Sequence, residues 1–131
     1  MEETRDESKI KSSGNIKTIT KKIIEFRDLR DWKQFHHPKD LAIGLSIEVG
    51  EILEHFRFKT NDEIKEYLKN SDDKKKLSHE LADTLYFLLT LANETEINIS
   101  KALHEKLEII EKKYPIEKCK GKPHKYTHYE K

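Results

Sequence analysis

The chain has 131 residues, of which 39% are charged and 34% hydrophobic, and its formal net charge is +1. So few apolar residues build only a thin core for one domain, which favours association of its helices into a homodimer or homotetramer. The near-zero net charge gives no general argument for binding nucleic acid or membranes. No uninterrupted apolar segment is close to the length of about 20 residues that a helix needs to cross a bilayer. A single cysteine, Cys119, excludes an intramolecular disulfide framework, and the first residues lack the features of a secretory signal, so we expect a cytoplasmic protein.

The first third of the chain predicts an arm, a helix and an aromatic break. Residues 1–14 are charged and without periodicity, which predicts a disordered arm. Apolar residues then recur at spacings of three and four from Ile16 to about Arg30, the pattern of an amphipathic helix. Residues 31–37 hold two aromatic and two imidazole side chains and are closed by Pro38, which suits the first turn of the next helix. Such a loop makes a good wall for a ligand.

The remaining elements are also helical. Periodicity predicts a second helix over residues 38–56, and a Thr60–Glu63 capping box predicts a short connecting helix over 60–68. A third helix is expected over 71–94, capped by Ser71 and the acids that follow it. A fourth is expected over 100–114 with Ser100 as its N-cap. Residues 116–131 form a basic tail, which is either loose or folded over a neighbour's anionic ligand. With no alternating strand pattern, the sequence predicts an all-α, four-helix-bundle-like domain over residues 15–115.

Two pairs of acids stand out because they flank the most apolar helices. Glu48 and Glu51 are three residues apart beside the apolar stripe of the second helix, and Glu80 and Asp83 have the same spacing on the third. Most acid pairs at this spacing in so charged a chain are solvated helix faces. If the two helices pack antiparallel, however, the four carboxylates converge and need either raised pKa values or cations. All-oxygen ligands favour Mg²⁺, with Mn²⁺ as the alternative, and Mg²⁺ commonly completes its shell with substrate phosphates.

Other site chemistries fit the sequence less well. A di-iron bundle expects Glu-x-x-His on two helices, which the chain lacks, and a zinc site built from Cys119, His124 and His128 would rest on three residues of a basic tail. Neither a phosphate-binding glycine loop nor an activated Ser or Cys is present, so water is the expected nucleophile. Trp32 and Phe35 can be read either as ligand contacts or as core residues at the end of the bundle. The lysines that are candidates for phosphate contacts are Lys112, Lys113, Lys122 and Lys125.

A family resemblance brings these features together. The segments Arg30-Asp31-Trp32-x-Gln34-Phe35-His36-x-Pro38, Glu48-Val49-Gly50-Glu51-Ile52-x-Glu54, Glu80-Leu81-x-Asp83 and Lys112-Lys113-Tyr114-Pro115 resemble the MazG-like all-α nucleotide pyrophosphohydrolases, and most of all their dCTP pyrophosphatase branch. The resemblance implies Mg²⁺-dependent conversion of a nucleoside triphosphate, dCTP or a related pyrimidine nucleotide, to the monophosphate and pyrophosphate. It implies that Glu48, Glu51, Glu80 and Asp83 hold the metal. The four acids alone do not identify the general base, for which our hypothesis is Glu48 or Glu51. The resemblance also implies a substrate pocket formed by Trp32, Lys33, Gln34, Phe35, His36, Phe58 and Phe87.

Four positions depart from that branch and leave the base and sugar open. Phe58 stands where a tryptophan is usual, Phe87 where a tyrosine is, Ile23 where a histidine is and Ile110 where an asparagine is. The same chemistry on dUTP, a damaged nucleotide or phosphoribosyl-ATP is one alternative. A helical oligomerisation or regulatory module without enzymatic activity is the other.

Overall fold

A computed structural model of the chain describes residues 15–130. It contains α1 (Ile16–Asp28), α2 (Pro38–Phe56), α3 (Asn61–Tyr67), α4 (Ser71–Glu94), α5 (Ile99–Lys113) and α6 (Ile116–Cys119), with 3₁₀ turns at Lys33–Phe35 and Tyr126–His128. The described residues include no β-strand, so the predicted all-α class is confirmed. None of the helices between residues 15 and 130 is long and apolar enough to cross a membrane. The predicted disordered arm, residues 1–14, lies outside the described residues.

The helix boundaries follow local signals in the chain. The bounds of α2 are those predicted, with Pro38 in the first turn. The capping box of α3 is confirmed, since Thr60 and Glu63 exchange side-chain to backbone hydrogen bonds at 3.2 and 3.4 Å. Helix α1 ends at Asp28, two residues before the predicted end near Arg30.

Two N-caps differ from the prediction. Asn70 caps α4 by accepting hydrogen bonds from two backbone N–H groups of the first turn at 3.0 and 3.1 Å, and Asn98 caps α5 by accepting one at 3.0 Å. Ser71 and Ser100, the predicted caps, lie inside their helices. The prediction was wrong because an asparagine upstream of each serine offers the same side-chain oxygen and already satisfies the free N–H groups.

The described residues divide into two compact units, residues 15–96 and residues 97–130. In the first unit α2 packs along α4 more extensively than any other pair of helices, and α1 also packs on α4. Leu41, Leu89 and Ala92 form the buried apolar core, and the fully buried Thr90 hydroxyl donates to the Tyr86 carbonyl at 2.6 Å. The predicted division at residues 15 and 115 stays a prediction.

An apolar face of α2 and α4 is not covered by the chain itself. Leu81 and Leu85 on α4 are 52% and 42% exposed, and Ile43 and Ile47 on α2 are 51% and 59% exposed. The apolar residues of α4 that the chain itself buries are Leu89 and Ala92.

In the second unit the basic tail is folded rather than loose. The Tyr126 backbone N–H donates to the Tyr114 hydroxyl at 3.1 Å, and the rings of Tyr126 and Tyr129 each meet the Tyr114 ring edge-on with centroids 6.2 Å away. The Lys113 ammonium lies 4.6 Å from the centre of the Tyr126 ring. The tail is therefore anchored by aromatic contacts to the end of α5.

Candidate metal and nucleotide site

Three of the four predicted acids converge where α2 crosses α4. One carboxylate oxygen from each of Glu48, Glu80 and Asp83 lies within 4.8 Å of the other two. Contacts run from Gly44 to Phe87 and from Glu48 to Asp83, so residue numbers rise along α2 as they fall along α4, which makes the two helices antiparallel as expected. We call these three residues the acidic cluster.

The acidic cluster brings three carboxyl groups, which repel one another when ionised, close together. Burial raises the pKa of Glu48, and the carboxylates of Asp83, Glu80 and Glu51 raise it further by repulsion. The ion pairs that Arg27, Arg57 and Lys69 form include no acid of the cluster. Three oxygen ligands with unbalanced charge suit a hard divalent cation.

Glu51 lies at the edge of this site. It is exposed and does not belong to the group of three converging carboxylates, although its charge acts on Glu48 one helical turn away. The i, i+3 spacing predicted that both acids face the same way. The structure places Glu48 in the cluster and Glu51 beside it, which gives the two acids different surroundings.

The next turn of α4 carries aromatic side chains. An ideal Cβ atom at Gly44 would lie 2.5 Å from the Phe87 ring, so the ring occupies the space that a side chain at this position would fill. The Phe87 ring also meets the Tyr86 ring edge-on, with centroids 5.5 Å apart. Phe87 therefore lies against α2 about one turn from the acidic cluster.

The loop between α1 and α2, residues 29–37, presents several of the predicted substrate contacts; we call it the aromatic loop. Trp32 is 41% exposed and Phe35 63% exposed, and Lys33 and Gln34 are exposed as well. His36 is half-buried, and its Nδ1 atom is buried without a hydrogen-bond partner among the described residues. This loop therefore offers accessible rings and one unsatisfied polar atom.

Phe58 stands apart after the end of α2. Its φ angle is +63° and its side chain is 89% exposed, with the Arg57 guanidinium 4.5 Å from the ring centre. A positive φ is costly for a bulky residue. An exposed aromatic ring on strained backbone is the kind of feature that a ligand or a partner surface uses.

The described residues do not join these aromatic rings into one pocket. Trp32 contacts Phe26, Phe58 contacts Arg57 and Phe87 contacts Tyr86, and no ring contact links the three predicted residues to one another. Their assembly around a nucleotide base stays a prediction.

Two features were missed by the sequence reasoning. Arg27 is 3% exposed and pairs with Glu94 in the last turn of α4, 67 residues further along the chain. The available signal was the position of Arg27 four residues after Ile23, on the apolar side of α1. Residue spacing alone, however, does not show which acid pairs with Arg27. The second feature is Gly44, whose place inside an apolar helix signals close packing.

The comparisons with known proteins point in one direction. The sequence profile of the MazG-like family matches residues 43–128. The chain is 32% identical over 116 residues to dCTP pyrophosphatase 1 of Bos taurus, covering 88% of this chain and 69% of that protein. It is 35% identical over 103 residues to dCTP pyrophosphatase 1 of Homo sapiens, covering 79% of this chain and 61% of that protein.

A solved structure is also similar. The fold matches the crystal structure of a pyrophosphatase from Archaeoglobus fulgidus DSM 4304 with a TM-score of 0.71 and 41% sequence identity, covering 76% of this chain and 91% of that chain. The similarity therefore extends over nearly all of the archaeal chain, whereas this chain spans 69% and 61% of the two mammalian relatives.

Proposed function

The chain belongs to the MazG-like family, and from this premise we propose that it hydrolyses dCTP or a related pyrimidine nucleotide to the monophosphate and pyrophosphate in the cytoplasm. The family predicted from the motifs is confirmed, and so is the class of enzyme, a nucleotide pyrophosphohydrolase. The choice of dCTP follows the names of the mammalian relatives.

The observation that carries the proposal is the convergence of Glu48, Glu80 and Asp83 between α2 and α4. These residues would hold Mg²⁺, with Mn²⁺ as the alternative, and Glu51, whose charge acts on Glu48, is the fourth ligand that the resemblance implies. When bound, the cation would neutralise the triphosphate and stabilise the pyrophosphate leaving group. Burial raises the pKa of Glu48 and the neighbouring carboxylates raise it further, and a bound cation would relieve that repulsion.

In the proposed reaction a water oxygen forms a bond to the α-phosphorus while the bond from that phosphorus to the α,β-bridging oxygen breaks. The bridging oxygen leaves with the electron pair as part of pyrophosphate. A carboxylate accepts the proton that water loses, and we assign this role to Glu51, with Glu48 as the second candidate. Glu51 suits it because it lies beside the converging carboxylates without being one of them.

The proposed substrate contacts keep the seven predicted residues. The base would stack against exposed rings, since aromatic faces bind planar bases, and the aromatic loop would supply polar contacts. His36 is the most specific of these because its buried Nδ1 has no partner in the described chain. The full set is Trp32, Lys33, Gln34, Phe35, His36, Phe58 and Phe87.

We further propose that the protein is a homodimer or homotetramer. The uncovered faces of α2 and α4 include Ile43, Ile47, Leu81 and Leu85, each more than 40% exposed. Helices whose apolar faces face water are stabilised when another copy covers them. Sedimentation at several concentrations tests this, and a monomer at every concentration would contradict it.

The activity is tested by measuring pyrophosphate release from a panel of nucleoside triphosphates with Mg²⁺, comparing Glu48→Gln and Asp83→Asn with the unaltered chain. Removing a proton acceptor or metal ligand should lower kcat by about 100-fold or more. The matched control is Glu105→Gln with Glu108→Gln, an exposed acid pair at the same spacing on α5. It should retain full activity.

A second readout does not depend on turnover. Mg²⁺ that binds the folded state at 100 times its Kd stabilises it by about 2.7 kcal/mol, so the Tm should rise with Mg²⁺ in the unaltered chain and in the control. Glu48→Gln and Asp83→Asn should abolish that rise. No pyrophosphate from any nucleotide, together with an unchanged Tm response in both variants, would favour the non-enzymatic helical module.

A further inference from the structure

The aromatic loop is fixed to α1 by its own backbone. The Arg27 carbonyl accepts hydrogen bonds from the N–H groups of Arg30 and Trp32, both at 3.1 Å. Asp31 adopts a φ of +54°, and the Gln34 side-chain amide donates to the Asp31 carbonyl at 2.9 Å. The loop therefore has one compact conformation that is built on residue 27.

Side chains reinforce this conformation. The Arg30 guanidinium lies 3.6 Å from the centre of the Phe26 ring and 5.9 Å from that of Trp32, and the two rings meet edge-on at 5.7 Å. Trp32 is thus held against α1 by a cation–π and aromatic stack. Nothing in this stack ties the loop to α4, where the acidic cluster lies.

Arg27 makes that connection. Its side chain is 3% exposed, and no other charged residue between residues 15 and 130 is buried. The guanidinium pairs with Glu94 in the last turn of α4 and with Asp28 at 3.0 Å, so two acids share one fork of donors. A buried charge that loses its partner is strongly unfavourable, which makes this pair sensitive to the placement of α1 on α4.

His36, at the other end of the aromatic loop, is affected by the charges of the same ion pair. Burial lowers its pKa, the Arg27 guanidinium lowers it further, and the Glu94 carboxylate opposes both. Both members of the ion pair therefore act on the imidazole whose Nδ1 atom has no partner in the described chain. One residue, Arg27, holds the start of the loop by its carbonyl and acts on its end by its charge.

We propose that the Arg27–Glu94 ion pair is a positioning element that fixes the aromatic loop relative to α4 and thereby sets the affinity for the nucleotide. The inference rests on the proposed function, because the loop matters only if it binds the substrate. The ion pairs of Arg27 and Glu94 include no acid of the acidic cluster, so the loss of the pair should weaken binding and leave the chemical step intact.

The test uses Glu94→Gln and Arg27→Lys in the full chain, with Lys69→Ala as the control. Lys69 pairs with Glu66 on the surface, where both side chains are more than 70% exposed. Lysine keeps the charge at position 27 but cannot bind both acids with a planar fork, so it should retain part of the function. Glu94→Gln leaves the buried guanidinium without its interhelical partner charge and is the stronger perturbation.

We expect Glu94→Gln to raise the KM for dCTP by about tenfold with kcat within about twofold, and Arg27→Lys to raise it by less. A lower Tm with an unchanged KM would mean a purely structural role and overturn the proposal. A fall in kcat at constant KM would overturn it as well. Lys69→Ala should match the unaltered chain in all three quantities.

Trp32 fluorescence separates this proposal from the proposed function. Trp32 is the chain's one tryptophan, so emission and acrylamide quenching report on the aromatic loop without any substrate. Glu94→Gln should shift the emission to the red and increase quenching at temperatures where the variant is folded, and unchanged fluorescence would refute the positioning role. If the unaltered chain hydrolysed no nucleotide, the proposed function would fail, and fluorescence alone would decide whether the pair holds the loop.

Discussion

Replacing Gly44 with alanine tests how closely α2 and α4 approach beside the acidic cluster. A Cβ atom there would lie 2.5, 2.8 and 2.9 Å from three atoms of the Phe87 ring. Since carbon atoms pack at about 3.5–4.0 Å, the ring must move by about 1 Å. We expect Phe87 to be displaced from its place against α2.

The change in the free energy of unfolding on Gly44→Ala follows from two opposed contributions. Alanine is favoured over glycine inside a helix by about 0.5–1 kcal/mol, whereas overpacking costs about 1–3 kcal/mol. Gly50 provides the matched control on the same helix, because a Cβ atom there meets nothing within 4 Å. Gly50→Ala should therefore gain the helix term alone, and the two variants should differ by the overpacking term of about 1–3 kcal/mol.

Urea unfolding and thermal unfolding measure this difference directly. Each kcal/mol corresponds to several degrees in Tm for a domain of this size. Gly44→Ala should also raise the KM for the nucleotide if Phe87 contacts the base, and its stability penalty should shrink in a Phe87→Leu background. Equal stabilisation by Gly44→Ala and Gly50→Ala would refute the close contact.

Three further predictions concern charge and strain. Because the pKa of Glu48 is raised in the folded state, ionisation of this carboxyl above about pH 4.5 lowers the stability of the folded protein. Glu48→Gln should therefore raise the Tm of the metal-free protein at pH 7.5 and have less effect near pH 4.5. A lower Tm at pH 7.5 would contradict this. Because the pKa of His36 is lowered in the folded state, the free energy of unfolding should fall as the pH drops from about 6.5 through that pKa. An NMR titration of the imidazole measures the pKa, and a midpoint above 6.5 would contradict the prediction. Phe58→Gly should relieve the strain of the positive φ angle and raise the free energy of unfolding by about 0.5–1 kcal/mol, while it weakens nucleotide binding. A lower free energy of unfolding in urea would show instead that the ring packs within the chain.

The features that sequence predicted well are those encoded locally. Helix α2 begins at Pro38 and ends at Phe56 as expected, and the Thr60 capping box is present, because both depend on residues a few positions apart. The convergence of Glu48 with Glu80 and Asp83 was also predictable. It needed only two i, i+3 pairs and antiparallel helices.

What escaped prediction depends on packing between distant segments. The face of α4 that is buried within the chain includes Leu89 and Thr90, while Leu85 is 42% exposed. Apolar periodicity alone does not specify which neighbour covers a helix face. The Arg27–Glu94 pair joins residues from two helices that only the fold brings together. Electrostatic partners of this kind have no sequence periodicity to reveal them.

The central claim is that water attacks the α-phosphorus of a nucleotide held at the acidic cluster. Hydrolysis of dCTP in ¹⁸O-labelled water, followed by ³¹P NMR and mass spectrometry of the products, tests it most directly. The proposed reaction places the label in the nucleoside monophosphate and leaves the pyrophosphate unlabelled. Label in pyrophosphate, release of single phosphates, or turnover that persists in Glu48→Gln would contradict it.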